Sequence, residues 1–240
     1  MDPFSFYYSI LKQYINPSFI PTLAKLWENP KRKFHNLDHL KDVLAFIEKN
    51  KNKILTYDRY VAIVLAAFFH DAWYEPIEKH NEDKSIDLLK RNYQYVIKTK
   101  ESKQYFDPYL EPVWIDKLKN IFKLKKIFKL KNKDKEKLMY NDPAILHEAN
   151  RLIEVTKHRI IPMEKLARLF WMADNEILTK DFEVLKTYET KIRQEYLRIP
   201  EIIYRTERIK FLKTNIGLFN KNADENLLKL IQYCEDIYKK

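Results

Sequence analysis

The chain has 240 residues, 45% of them apolar, so a single compact domain with a full core is expected. Its only glycine is Gly217 and its only cysteine is Cys234. This excludes glycine-rich phosphate loops of the nucleotide-binding kind and an intramolecular disulfide framework. The formal net charge is +11, but the segment from Lys117 to Lys137 alone carries ten lysines against two acids. The basicity therefore belongs to one segment and not to the whole fold.

No stretch approaches the roughly 18 apolar residues that a membrane span requires. The first residues, Met1 to Ser5, also do not show the charged and then apolar pattern of a secretory signal. The lone cysteine is typical of a reducing compartment. The sequence therefore predicts a cytoplasmic protein without a membrane span.

Apolar residues at helical spacing recur along most of the chain and predict an all-α fold. The first clear stripe begins at Leu37 and ends near Ile47. Asp58 is predicted to cap the next helix, which extends to about Ala72 and is apolar on nearly all sides, so it should be enclosed by the others. Another helix is predicted to open at Asn81.

The second half of the chain predicts five further helices. Pro143, preceded by a capping Asp142, starts a helix to about residue 157. Pro162 is predicted to start the next one, with Asp174 in an apolar row. The closing helices are predicted over residues 181–197, 201–212 and 224–238.

Two ionisable side chains, His70 and Asp71, follow directly after the most apolar helix. They are costly to hold there unless a ligand binds them, and a divalent cation is the usual ligand. His39 lies on the inner flank of its helix, and Asp174 occupies a row that is otherwise apolar. Two imidazoles and two carboxylates predict a site for one divalent ion of Mn, Fe, Co, Ni, Zn or Mg, with positions left for water and substrate.

Three motifs resemble the HD-domain superfamily of metal-dependent phosphohydrolases. They are Phe-His-Asn-Leu-Asp-His ending at His39, Phe-His-Asp-Ala-Trp-Tyr around His70, and Asn-Glu-Asp-Lys-Ser starting at Asn81. The resemblance extends from about Lys33 to Leu230. It implies a single HD-type helical domain over residues 1–240, with about 92–140 partly an insertion. It also implies that His39, His70, Asp71 and Asp174 are the metal ligands.

The resemblance also implies catalytic roles for two residues. The His-Asn-x-x-His spacing is similar to the start of the cyclic-nucleotide phosphodiesterase site, which makes His35 the proton donor to the leaving oxygen. Glu82 is the candidate that acts on the attacking water, as an acid does in related guanosine-polyphosphate hydrolases. Two alternatives stay open: His35 as a surface residue beside a capping Asn36, and Glu82 as an ordinary first-turn acid.

Five further residues are candidates for substrate binding, and each also has a structural interpretation. Asn36 and Asn81 can cap helices, His158 can interact with a helix dipole, and Arg193 and Arg208 can form surface pairs with Glu189 and Glu207. The candidates are Asn36, Asn81, His158, Arg193 and Arg208.

The leading interpretation is a metal-dependent hydrolase of phosphoester or phosphoanhydride bonds in a small, nucleotide-like substrate, with a second metal as a further option. One alternative is a di-iron HD-type oxygenase, for which only His80, His147 and His158 could supply the extra ligands. The other is a non-catalytic protein that binds nucleic acid or another anion through residues 117–137. That segment is also explained as a solvated, lysine-rich insertion, which is the favoured interpretation because lysine runs are common.

Overall fold

The structure is a computed structural model that describes residues 2–54, 56–94, 96–97, 139–140, 143–157 and 160–237. The chain divides into two compact units, one of Met1–Gln94 with Pro143–Lys240 and one of Tyr95–Asp142. Of the second unit, the structure describes two short strands, β1 (Val96–Ile97) and β2 (Met139–Tyr140), which pair in antiparallel register. The lysine-rich segment lies outside the described residues.

The first unit is built from helices, which confirms the predicted all-α fold. Among the described residues its α-helices are α1 (Pro3–Phe6), α2 (Tyr8–Tyr14), α3 (Ile20–Trp27), α4 (Leu37–Lys49), α5 (Tyr57–Phe69), α6 (Asn81–Asn92), α7 (Pro143–Val155), α8 (Lys165–Asp174), α9 (Phe182–Glu195), α10 (Glu201–Thr214) and α11 (Lys221–Ile237). Two 3₁₀ turns, Lys51–Lys53 and Glu176–Thr179, follow α4 and α8. Within the described part of the chain, no helix is both long and apolar enough to cross a membrane.

Helix α5 is the centre of the first unit, as its uninterrupted apolar sequence predicts. Every residue from Tyr60 to Phe69 is buried. Helices α4, α6, α7 and α8 pack against it. Because each of them presents one apolar face and α5 is apolar all round, the enclosed helix gives the others a common surface to cover. The C-terminal end of α5, where His70 and Asp71 follow, is consequently surrounded by other elements.

The cap of α5 differs from the prediction. Thr56, and not Asp58, is the N-cap residue, and its Oγ1 accepts a hydrogen bond from the backbone N–H of Arg59 at 3.3 Å. Asp58 lies in the first turn, where its charge favours the positive end of the helix dipole. Both interpretations use an acceptor near the first turn, so the sequence pattern alone does not separate them.

Replacing Thr56 with alanine is expected to lower the free energy of unfolding by about 1 kcal/mol, because one N–H of the first turn loses its acceptor. Asp58→Ala is the matched control. It removes only a dipole interaction and should cost about 0.5 kcal/mol. Urea denaturation of both variants measures the difference, and a larger loss in Asp58→Ala would contradict the assignment of Thr56 as the cap.

The start of α8 also differs from the prediction. The helix begins at Lys165, and Glu164 caps it by accepting a hydrogen bond from the backbone N–H of Ala167 at 2.8 Å. Pro162 lies before the helix. Ile177 belongs to the 3₁₀ turn that follows the helix. Asp174 is the last residue of α8 and lies one helical turn after the buried Phe170.

A second apolar cluster joins α9, α10 and α11. Its members are buried side chains of these helices and of the 3₁₀ turn before α9, and Phe34, from the loop before α4, packs against it. The closing helices thus reach the segment that carries His35 and His39. The buried core of the cluster consists of Leu178, Leu185, Tyr188, Ile192, Tyr204, Leu212, Leu227, Leu230, Ile231 and Cys234.

Candidate metal centre

Three helices bring the four predicted ligands to one place. His39 lies in the first turn of α4, His70 and Asp71 follow the last residue of α5, and Asp174 ends α8. Both imidazoles are buried, with 5% of the His39 side chain and 1% of the His70 side chain exposed. The carboxylates of Asp71 and Asp174 are 17% and 19% exposed, so one side of the cluster faces solvent. A small molecule could approach from that side.

The ligand atoms of these residues lie close together. The Nε2 atoms of His39 and His70 are 3.2 Å apart. Oδ1 of Asp174 lies 3.2 Å from Nε2 of His39 and 3.4 Å from Nε2 of His70. Oδ2 of Asp71 lies 3.3 Å from Nε2 of His70 and 3.8 Å from Nε2 of His39. His39, His70 and Asp71 form a group that could hold a metal ion.

These separations fit a shared cation. Ligands at about 2.1 Å from one ion lie about 3.0 Å apart in octahedral and about 3.4 Å apart in tetrahedral geometry. The spacings from 3.2 to 3.4 Å fall in this range, and only the 3.8 Å separation between His39 and Asp71 is longer. Two imidazole nitrogens and two carboxylate oxygens meet here, and one divalent cation could accept electron pairs from all of them at once. Asp174 fits beside the group by the same distances.

The end of α5 is held by hydrogen bonds to its final carbonyls. His70 Nδ1 lies 2.9 Å from the carbonyl oxygen of Ala67, which leaves Nε2 facing the ligand cluster. Trp27 Nε1 donates to the carbonyl of Phe68 at 2.9 Å, and the Trp27 ring lies 5.5 Å from the His70 ring. Carbonyl groups at the end of a helix have no partner within the helix. Here His70 and Trp27 give them hydrogen-bond partners, which allows this end to be buried.

Arg32 binds the next two carbonyls after the helix. Its Nη1 donates to the carbonyl of Asp71 at 2.7 Å and its Nη2 donates to the carbonyl of Ala72 at 2.9 Å. Nη1 is also 3.5 Å from the carbonyl of His35. Arg32 is 6% exposed. Burial lowers the pKa of its guanidinium, while the negative charges of Asp71 and Glu195 act in the opposite direction.

The charges of the cluster shift the pKa values of its members. Burial alone would lower the pKa of His70, but the charges and hydrogen bonds of Asp71 and Asp174 raise it well above its usual value. Burial would raise the pKa of Asp71, but the charge of His70, its hydrogen bond and the charge of His35 hold it at about 2. The pKa of Asp174 is held well below its usual range against burial by His39 and His70. Both carboxylates are therefore ionised at neutral pH.

His35 lies beside the cluster and is held by Glu195. The Nδ1 atom of His35 is 2.6 Å from Oε2 of Glu195, and the hydroxyl of Tyr74 donates to the same oxygen at 3.0 Å. The His35 ring stacks on the ring of Tyr74, with centroids 4.1 Å apart and an interplanar angle of 26°. Its centroid is 5.9 Å from that of His39. With Nδ1 bound to a carboxylate, Nε2 is the nitrogen available for proton exchange with another molecule.

Glu195 also organises the loop before α4. Its Oε1 accepts three backbone N–H groups, from Lys33 at 2.7 Å, Phe34 at 2.8 Å and His35 at 3.0 Å. Burial would raise the pKa of Glu195, but the hydrogen bond and charge of His35 and the backbone donors outweigh it and hold the pKa at about 2. The side chain is 0% exposed. The buried carboxylate of Glu195 therefore binds both the backbone of this loop and the ring of His35.

Glu82 lies in the first turn of α6, half-buried. Burial, and then the charge of Asp71, raise its pKa above the usual range. Ser85 fixes this helix to the loop after α5, because its hydroxyl accepts from the backbone N–H of Trp73 at 3.0 Å. Glu82 is thus within electrostatic range of the cluster, and its raised pKa makes its carboxylate a stronger base than an exposed glutamate.

The two candidate asparagines have structural partners. Asn36 is the N-cap of α4, and its Oδ1 accepts from the backbone N–H of Asp38 at 2.9 Å. Asn81 bonds to the loop before α6: Oδ1 accepts from the N–H of Glu75 at 3.0 Å, and Nδ2 donates to the Glu75 carbonyl at 2.9 Å. These contacts agree with the capping interpretation of Asn36. The capping interpretation of Asn81 is wrong, because His80 is the N-cap of α6 and the Asn81 amide bonds to the preceding loop instead.

The two candidate arginines are also engaged, and the predicted pairs are wrong. Arg208 is 8% exposed, and its Nε lies 2.6 Å from Oε2 of Glu189, so this is a buried pair and not a surface pair with Glu207. Glu207 instead lies 4.0 Å from Lys210. Arg193 Nη1 donates to the carbonyl of Tyr196 at 2.6 Å. The long separation in sequence between Glu189 and Arg208 explains why the neighbouring acid was the more obvious choice.

The remaining histidines lie apart from the cluster or outside the description. His158 is outside the described residues. His80 is 70% exposed, with Nδ1 3.2 Å from Oδ2 of Asp83, and His147 is exposed on α7. These two exposed side chains therefore contribute nothing to the cluster.

Three residues that hold the site were missed in the sequence: Trp27, Arg32 and Glu195. Glu195 had a usable signal, because it follows Tyr188 and Ile192 at helical spacing and thus places an acid on the apolar face of α9. Arg32 lies between two lysines, so nothing in the local pattern distinguishes it. Its function depends on carbonyls about 40 residues later in the chain.

Comparison of the chain with models of protein families, with curated proteins and with solved structures found no match. The resemblance to the HD-domain superfamily rests on the sequence motifs.

Proposed function

We propose that the protein is a metal-dependent hydrolase of phosphoester or phosphoanhydride bonds in a small, nucleotide-like substrate. The observation that carries the proposal is the approach of the His39 and His70 Nε2 atoms to 3.2 Å, with carboxylate oxygens of Asp71 and Asp174 beside them. A buried arrangement of this kind is the donor set of a divalent cation with open positions. A cytoplasmic location belongs to the same proposal.

His39, His70, Asp71 and Asp174 would hold the cation. A divalent ion there supplies Lewis acidity, which polarises a phosphoryl oxygen and lowers the pKa of water next to it. The Ala67 carbonyl orients His70, and the two ionised carboxylates offset the positive charge. The partly exposed side of the cluster leaves room for the phosphoryl group.

His35 would donate a proton to the leaving oxygen through Nε2. Its ring is fixed by the carboxylate of Glu195 on one side and by the face of Tyr74 on the other. General acid catalysis requires this fixed direction, since the proton must reach one particular oxygen. Glu82, whose pKa is raised, would accept the proton of the attacking water. A contribution of about 10²–10⁴-fold is typical for one such group.

Replacing Glu195 with glutamine is expected to lower kcat by roughly tenfold to a hundredfold. Both carboxylate oxygens of Glu195 accept hydrogen bonds, so the amide of glutamine places an N–H group opposite another donor in either orientation. The stability loss should be about 2 kcal/mol at neutral pH. Steady-state kinetics and urea denaturation measure the two effects. Glu183 is an exposed acid on the same helix, and Glu183→Gln is the matched control. It should change kcat and the free energy of unfolding very little.

The contribution of Glu195 to the free energy of unfolding should decrease as the pH falls. The pKa of Glu195 is lowered from 4.5 to about 2 in the folded protein. Its contribution is therefore complete above 4.5 and is lost as the pH falls from 4.5 toward 2. The difference between wild type and Glu195→Gln should shrink over this interval. A difference that stays constant from pH 6 to pH 3 would contradict this role of the carboxylate.

The test of the function begins with metal analysis of the purified protein. The metal-free protein is then loaded separately with Mn²⁺, Fe²⁺, Co²⁺, Ni²⁺, Zn²⁺ or Mg²⁺ and assayed with phosphomonoesters, phosphodiesters and nucleoside polyphosphates. Metal-dependent release of phosphate or of a nucleotide product is expected for one of these substrate classes. Absence of metal binding, or hydrolysis that does not depend on metal, would contradict the proposal.

The two alternative functions have less support in the described part of the chain. A di-iron oxygenase would need additional histidine ligands, and His80 and His147 are exposed, with His80 bonded to Asp83. A binding module would act through residues 117–137, which lie outside the described residues. Deleting that segment separates this alternative from the proposal, because hydrolysis should persist without it.

A further inference from the structure

We infer that Arg32 is a positioning residue for the metal site, because its guanidinium joins the two chain segments that carry His35 and Asp71. The inference rests on the proposed function of the same site. One plane of donors binds the carbonyls of Asp71 and Ala72 at 2.7 and 2.9 Å and approaches that of His35 at 3.5 Å. A single side chain thus connects the residue that would donate the proton with a residue that would bind the cation.

The covalent connection between these two segments is long. His35 precedes α4, whereas Asp71 follows α5, so the whole of both helices separates them along the chain. Packing of apolar side chains between the helices sets their distance but tolerates small sliding movements. Directional hydrogen bonds from Arg32 to the segment before α4 and to the segment after α5 would limit that sliding. Hydrogen bonds to the groups next to a metal ligand fix the direction of that ligand.

The chemistry of arginine suits this position. Its planar guanidinium presents several donors in a fixed fork, so it can bind adjacent carbonyls at once. It also places a positive charge at the C-terminal end of α5, where the helix dipole is negative. The rings of Trp27 and Tyr74 lie 5.9 and 5.6 Å from the guanidinium carbon. His35 stacks on the ring of Tyr74. Arg32 therefore approaches both the backbone carbonyl of His35 and the ring that supports the His35 side chain.

The inference predicts a specific effect of Arg32→Lys. Lysine keeps the positive charge but has a single nitrogen in place of the fork, so it cannot hold the three carbonyls in the same arrangement. The folded variant is expected to bind Mn²⁺ roughly tenfold to a hundredfold more weakly than wild type. The value of kcat should fall as well. Arg59→Lys, an exposed arginine on α5, is the matched control and should bind Mn²⁺ like the wild type.

Binding of Mn²⁺ alone is measured by calorimetry, with no substrate present, at a temperature where circular dichroism shows both proteins folded. Equal Mn²⁺ affinity and equal kcat in Arg32→Lys and wild type would overturn the inference while leaving the proposed function intact. Failure of the wild type to bind any divalent metal would instead overturn the proposed function.

A second measurement is used if Arg32→Lys folds only when metal is bound. In that case the unfolding midpoints of Arg32→Lys and wild type are titrated with Mn²⁺, since an ion that binds only the folded state raises the midpoint according to its affinity. A smaller rise in the variant supports the inference. A rise equal to that of the wild type overturns it.

Discussion

Replacing Asp71 with asparagine is expected to reduce the bound metal from about one equivalent to less than about a tenth, and hydrolysis by about a thousandfold. Asparagine has nearly the same shape as aspartate, so the helix end should keep its structure. It has no negative charge, however, and its amide oxygen is a weaker ligand for a divalent ion. The carboxylate that it replaces lies 3.3 Å from Nε2 of His70.

Metal analysis and the assay that gives the highest wild-type activity measure this effect. Asp87→Asn, an exposed acid on α6, is the matched control and should keep both the metal and the activity. Circular dichroism and thermal unfolding establish that Asp71→Asn is folded. Wild-type metal content and wild-type rates in this variant would show that Asp71 is not a ligand.

Replacing Glu189 with glutamine is expected to lower the free energy of unfolding by about 3–5 kcal/mol. Glu189 is 1% exposed and accepts hydrogen bonds from Nε of Arg208 at 2.6 Å and from the hydroxyl of Tyr204 at 2.7 Å. Glutamine leaves the Arg208 charge buried without its counter-charge. The loss is large because water cannot replace the missing partner inside the cluster of α9, α10 and α11.

Glu207→Gln is the control for this prediction. Glu207 is the sequence neighbour of Arg208, but its side chain is 64% exposed and should contribute less than about 1 kcal/mol. Urea denaturation of the two variants compares a buried partner with an exposed one. A loss below about 1 kcal/mol in Glu189→Gln would contradict the buried pair. Replacing Glu189 and Arg208 together by methionine should cost much less than either single change, because no buried charge is left.

The parts of the fold that depend on local pattern could be predicted from the sequence. The unbroken apolar run of α5 predicts an enclosed helix, and the position of Asp174 in an apolar row predicts that this acid has a partner. The exact starts of helices could not be predicted in the same way. Thr56 and Asp58 both suit the first residues of a helix, and only the backbone geometry separates the cap from the first turn.

The supporting residues of the site could be predicted only in part, because they act over long distances in the sequence. Glu195 reaches His35 across 160 positions, and Trp27 reaches Phe68 across 41. Local periodicity shows which face of a helix is buried but not which residue from another helix lies opposite. The arginine pairs illustrate this limit, since the buried partner of Arg208 is 19 positions away and the adjacent Glu207 is exposed.

The origin of the four proposed ligands on three separate helices has a consequence for the order of events during folding. His39, His70 and Asp71 come from α4 and α5, but Asp174 is added only after the whole of Tyr95–Asp142 has been synthesised. No short peptide of this chain contains the full set, unlike the compact ligand spacing of a zinc finger. Capture of an ion by all four ligands therefore requires completed tertiary structure, and bound metal would report that the newly made chain has folded.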